Sequence, residues 1–176
     1  MQSRFLGWLI AALLLLVGCT TPPITTPAVE STVYLRDIVP GMPESPTPLV
    51  VPAAGPFPLP AMGIDVPSNA RSLTLTAATL HLDLTNHMKI PLDLRIFLSG
   101  NRDTVYEEAN LLGEVSLQPE QSGRIDQAVK DPTIFKGEKV WVGIRFSTRG
   151  SGGIVTVKGS DSLLVKTSAT VQVKLF

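Results

Sequence analysis

The sequence predicts an all-β chain: an antiparallel, immunoglobulin-like β-sandwich of about seven strands, preceded by a signal peptide and a proline-rich extended segment. Three observations predict it. Beyond residue 70, apolar and polar residues alternate in run after run, the pattern of strands with one face in a core and the other in water. Turn residues break these runs apart, as in a sandwich of short antiparallel strands. Twelve of the fifteen prolines lie between Pro22 and Pro67, where missing backbone donors exclude regular helix and central strand.

Met1 to Arg4 holds one basic side chain, and Phe5 to Val17 is thirteen residues without a charge. A positive start and a short apolar centre are the layout of a secretory signal. The run falls short of the roughly 20 apolar residues that span a bilayer. It ends in Leu16-Val17-Gly18-Cys19, which resembles the lipobox of bacterial lipoproteins. The resemblance implies diacylglycerol on the Cys19 thiol, cleavage just before it and acylation of the new amino terminus. Residues 1–18 are then the lipoprotein signal peptide, and Cys19 is the lipidation site and the link to the membrane. Two or more acyl chains anchor a protein stably, at about 0.8 kcal/mol per buried CH₂. Cys19 is the sole cysteine, so an exported domain has no disulfide to form. Thr20 follows Cys19 where an aspartate tends to retain lipoproteins at the inner membrane. By that resemblance the expected location is the outer membrane of a two-membrane cell, or the outer face of the cytoplasmic membrane in a one-membrane cell.

Removing residues 1–18 from 176 leaves 158, enough for one domain and a tether. Fifteen basic residues balance fifteen acidic ones, which gives no field for recruiting nucleic acid. Residues 19–48 are expected to be a Thr/Pro-rich tether. Residues 49–67 include "LVVPAAGPFPLPAMGIDV", too apolar for a solvated linker. They read as a strap or irregular edge strand lying on the sandwich, or else as a polyproline-type ligand. Residues 68–176 are expected to be the sandwich itself.

Within it, Leu73, Leu75 and Ala77 share one parity and Leu80, Leu82 and Leu84 the other. That switch predicts a β-bulge near Ala77–Thr79. After Asn86-His87-Met88-Lys89, the alternation resumes at Ile90, Leu92, Leu94, Ile96 and Leu98, with Asp93 and Arg95 outward. Weaker strands follow around Leu111–Leu117 and Ile125–Val129, then strong ones at Val140–Phe146 and Leu163–Leu175, with a short piece at Val155–Val157. Asn86 and Ile90-Pro91-Leu92 are similar to the strand–turn–strand opening of water-stress/late-embryogenesis-abundant type 2 domains. The resemblance implies a sandwich and brings no catalytic role.

No chemistry-bearing constellation is complete. The only thiol is assigned to the lipid, and no Gly-x-Ser-x-Gly elbow is present. His81 and His87 match no usual zinc spacing and are expected at the surface. "SGNRDTVYEE", Ser99 to Glu108, offers Asn101, Asp103, Glu107 and Glu108 as oxygen ligands but lacks the calcium-loop spacing. The glycines of "TRGSGGIV" suit a hairpin and lack the lysine that grips a phosphate. Phe97 and Trp141 fall on the outward parity of their strands. Two readings are open: an exposed aromatic patch for a sugar or a protein partner, or two rings covered by the apolar strap. The function expected is a lipid-anchored, non-catalytic structural or binding module of the cell envelope, needing no cofactor and no metal. Its rivals are a carbohydrate- or peptide-binding accessory protein and, least supported, a metal-dependent hydrolase.

Overall fold

The computed structural model describes residues 22–38, 42, 44, 47–53, 55–149 and 153–174. Its strands are β1 (Ile24–Thr25), β2 (Val29–Tyr34), β3 (Leu49–Pro52), β4 (Phe57–Pro58), β5 (Met62–Asp65), β6 (Thr74–Asn86), β7 (Leu92–Ser99), β8 (Leu111–Leu117), β9 (Ser122–Ala128), β10 (Lys139–Thr148), β11 (Ile154–Val157) and β12 (Ser162–Lys174). They form an all-β, antiparallel sandwich. One sheet runs β12, β6, β9, with β1 and β2 lying end to end along the free side of β12. The other runs β10, β7, β8, with β4 and β5 end to end along β10. β3 and β11 make a separate two-stranded ribbon.

The alternation predicts the central strands because it is what fills the core. Leu80, Leu82 and Leu84 of β6 and Leu163, Val165, Ala169 and Val171 of β12 face Leu92, Leu94 and Ile96 of β7 and Val140, Val142, Ile144 and Phe146 of β10. All are buried, and each large side chain so buried is worth about 1.5–3 kcal/mol. The parity switch in β6 is a bulge: Gln172 and Val173 pair with Ala77 and Leu75, leaving Thr76 extra. It sits slightly ahead of the expected position, and Thr76 turns its hydroxyl to the Gln172 carbonyl at 3.3 Å.

The proline-rich region departs from expectation. Residues 19–48 are not all tether, since β1 and β2 are part of the first sheet and Val33 and Leu35 are in the core. The boundary at residue 68 also fails, because β4 and β5 pair with β10 and bring Leu59, Met62 and Ile64 into the same core. This placement also leaves 49–67 as sheet rather than a free polyproline ligand. Beyond residue 70 the strands number seven, β6 to β12, as expected, and five more come from the proline-rich region, twelve in all among the described residues. Proline is tolerated where its missing donor faces solvent on an outer row. Pro27 sits in the break between β1 and β2, where the Thr26 amide reaches Ala169 and the Thr26 hydroxyl accepts from the Ala169 amide, both at 2.8 Å. Pro60 sits in the equivalent break before β5, next to Leu59, whose amide reaches the Ile144 carbonyl at 2.8 Å.

The crossing from β6 to β7 is fixed by one side chain. Asn86, fully buried, donates to the carbonyls of Ile90 (2.9 Å) and Gln118 (3.0 Å) and accepts from the Met88 amide (2.9 Å). His87, Lys89 and Ile90 are thereby held at one end of the sandwich. Cys19 and the predicted signal peptide lie outside the described residues.

Candidate functional site

Phe97 and Trp141 are on the outer face of the β7–β10 sheet, as their parity requires, but they do not form an open patch. Phe97 is fully buried. The loop after β7 folds back, and Tyr106 packs edge-on against Phe97 with ring centres 5.7 Å apart. Gly143, beside Phe97, permits this: a Cβ there would meet the Tyr106 ring at 2.8 Å and Val105 at 3.1 Å. Burial raises the pKa of the Tyr106 phenol, whose hydroxyl donates to the Leu59 carbonyl. Trp141 is half-buried. Gly63 of β5 lies against one side of it, where a Cβ would be 3.1 Å from the ring, and Arg102 stacks on it at 5.3 Å. The aromatic site expected at Phe97 is thus corrected. The chain's own loop takes that ring, which alternation within a strand does not reveal.

The charges on this face are consumed in pairs. Arg95 grips Glu108 with two hydrogen bonds (2.9 and 2.7 Å) and Glu114 with a third (2.8 Å), while Arg145 reaches Glu108 at 3.4 Å. Arg95 holds the Glu108 carboxyl below its usual range. Glu108 therefore faces two guanidinium groups, and Asn101 accepts from the Asp103 amide at 3.0 Å. On the other sheet, His81 joins Asp126 (2.7 Å) and Thr170 (2.8 Å) through its two ring nitrogens. Its hydrogen bond lowers the Asp126 pKa. Among the described residues, no group of three His, Cys, Asp or Glu is placed to hold a metal ion, and no helix is long and apolar enough to cross a membrane.

A cleft of about 540 Å³ opens at the end of the sandwich where β6 crosses to β7. Lys89 and Ile90 enter from the crossing, Arg149 from the end of β10, Ile154 and Val155 from the ribbon, and Lys158 from the turn before β12. Arg149 is tied to Asp93 and Ser116, and its hydrogen bond lowers the Asp93 pKa. The Asp161 carboxylate, also at the cleft, accepts from the Lys158 amide at 2.8 Å. Lys89 and Lys158 have no ion pair among the described residues. Beside them, Ile154 is 55% exposed, and Val50, on the same outer face of the ribbon, is 66% exposed. The arrangement offers two cationic donors to an anion and an apolar wall to whatever carries it. His87 also lines the cleft. The sequence singled out His87 only as a surface turn residue. Lys89 and Lys158 are 69 positions apart, and nothing local connects them.

No family model matches this chain, and no curated protein sequence matches it. Solved structures give remote likenesses. A protein of Parabacteroides distasonis inferred to be secreted is 14% identical, with a TM-score of 0.40 over 66% of this chain and 39% of its own. The sugar-binding EclA C-terminal domain is 8% identical, with a TM-score of 0.36 over 86% and 83%. A carbohydrate-binding module of Cellvibrio mixtus lichenase 5A, solved with cellotriose, is 9% identical, with a TM-score of 0.32 over 77% and 95%. The chain spans about two fifths of the length of the first of these. At such scores the likenesses say nothing of ligand or activity.

Proposed function

We propose that this protein is a non-catalytic binding module of the cell envelope, anchored by lipid at Cys19 and taking a carboxylate-bearing envelope ligand in the cleft at the β6–β7 crossing. The carrying observation is that Lys89 and Lys158, both without an ion partner among the described residues, line one cleft with apolar Ile90, Ile154 and Val155. Elsewhere on the two broad faces, Arg95, Arg124, Arg145 and His81 already have carboxylate partners. Charge-assisted hydrogen bonds to carboxylate from lysine supply affinity, and the apolar wall supplies selection. The lipobox and the Thr20 that follows it support export and an outer-membrane location in a two-membrane cell. Trp141, with Gly63 on one side and Arg102 stacked on it, is a poorer sugar platform than an open ring.

The test is calorimetric titration of residues 20–176 with carboxylated glycan fragments, acidic peptides and neutral glycans of matched length. Binding of one carboxylated class, weakened at least tenfold by Lys89→Gln with Lys158→Gln and untouched by Trp141→Ala, is expected. Binding that survives the double substitution, or that follows Trp141, would overturn the reading.

A further inference from the structure

We infer that the cleft is held on the side of the sandwich away from the membrane, so that it takes its anion from the space beyond the anchoring leaflet and not from that leaflet's headgroups. This inference rests on the lipid anchor proposed at Cys19.

Its basis is where the chain joins the sheet. Ile24 and Thr25 pair with Val171 and Thr170, near the carboxyl-terminal end of β12. The two bonds between Thr26 and Ala169 pin the next residue. Only five residue steps separate Cys19 from Ile24, and at 3.3–3.6 Å per residue they reach at most about 18 Å. From that entry the chain runs along β12 to the opposite end, where Tyr34 pairs with Ser162. Val171 and Ser162 are nine steps apart on one strand, which is about 30 Å. Lys158 and Asp161 lie just beyond Ser162, and Lys89 and Arg149 lie at the same end, next to β7 and β10 where Leu92 pairs with Thr148. To turn the cleft onto the lipid, the tether would have to run back along the whole domain, and it is too short to do so. A sandwich lying on its side is within reach of the tether. It would press the polar faces carrying Asp83, Arg124 and Lys166, or Arg95 and Glu114, against the bilayer. The exposed large apolar side chains among the described residues, Val50 and Ile154, are on the ribbon beside the cleft.

The lipidated mature protein in vesicles of anionic and zwitterionic lipid tests this directly. Cys19 is the sole cysteine and is blocked by its lipid, so one introduced thiol can be labelled cleanly. Ser160→Cys marks the cleft end, and Lys174→Cys marks the entry end. Energy transfer to a headgroup acceptor then measures the height of each label. The expected result is a Ser160 label about 40 Å farther from the bilayer than the Lys174 label, with the twelve steps of β12 between them. Inserting twenty Gly/Ser residues after Pro23 should erase the difference. A native difference below about 10 Å means that the molecule lies flat, and a reversed order means that the cleft faces lipid; either overturns the inference. Mass spectrometry of the same sample reports the lipid on Cys19, so a failed anchor is distinguished from a failed orientation.

Discussion

Replacing Asn86 with leucine removes three hydrogen bonds from a side chain with no solvent exposure. Each is worth about 1 kcal/mol net. The Gln118 carbonyl keeps a partner in the Gln121 amide at 3.2 Å. The loss leaves the Ile90 carbonyl and the Met88 amide short of the partner Asn86 supplied, so the total rises to about 3–4 kcal/mol. That is a large share of the roughly 5–15 kcal/mol of a whole domain. In urea, with a slope near 2 kcal/mol per molar, the unfolding midpoint of residues 20–176 should fall by about 1.5–2 M. A shift below about 0.5 M would refute the claim that this side chain holds the crossing. Asn86→Asp separates the two roles. It keeps the acceptor for the Met88 amide but sets a carboxylate against two carbonyl oxygens. It should be strongly destabilised at neutral pH and partly recover on acidification, when the protonated acid regains one donor.

Three further outcomes are expected. Thr167→Val should raise stability by about 1 kcal/mol in the same urea titration, since the Thr167 hydroxyl is buried without a hydrogen-bond partner among the described residues; a loss of stability would refute this. Gly143→Ala should cost about 1–3 kcal/mol and change the near-ultraviolet dichroism, because the new methyl meets the Tyr106 ring that covers Phe97. Acid should weaken the fold through Asp93, Glu108 and Asp126, whose carboxyls are held below their ordinary range mainly by hydrogen bonds from Arg149, Arg95 and His81. Each binds its proton more readily in the unfolded chain. Their contribution is therefore complete above the usual carboxylate pKa of about 4 and is lost as pH falls through the depressed folded values. The melting temperature followed from pH 5 to pH 2 should drop, and Arg95→Gln with Arg149→Gln should flatten that drop.

The central strands were legible because their side chains answer to one local rule, alternate burial. Leu92 to Leu98 and Val140 to Phe146 display it without interruption, and the structure puts those residues in the core. β1 and β2 were not legible, because Thr and Pro suggest a solvated spacer. What makes Thr26 part of a sheet is a pair of bonds to Ala169, 143 residues away. The outward parity of Phe97 was correct, yet its burial depends on a loop that returns eight and nine residues later, at Val105 and Tyr106, and has no period of its own. Asn86 was noticed as part of a turn, but its three buried partners lie on both sides of a sheet-to-sheet crossing. The cleft is the least legible feature, since its lysines meet only after the ribbon, the crossing and the last turn have been placed.

Molecules fixed in a bilayer plane, as proposed for this chain, meet their own copies at densities far above those in solution, and open sheet borders are where such copies zip into fibres. In this protein the four borders of the two large sheets are spoiled in three ways. Two are split into short pieces around Pro27 and Pro60. A third, β9, displays Arg124 and Asp126. The fourth, β8, slips register against β7 between Ile96 and Phe97. Crowded copies of this chain should therefore remain separate molecules, and the prolines that obscured its first strands in the sequence are part of the reason.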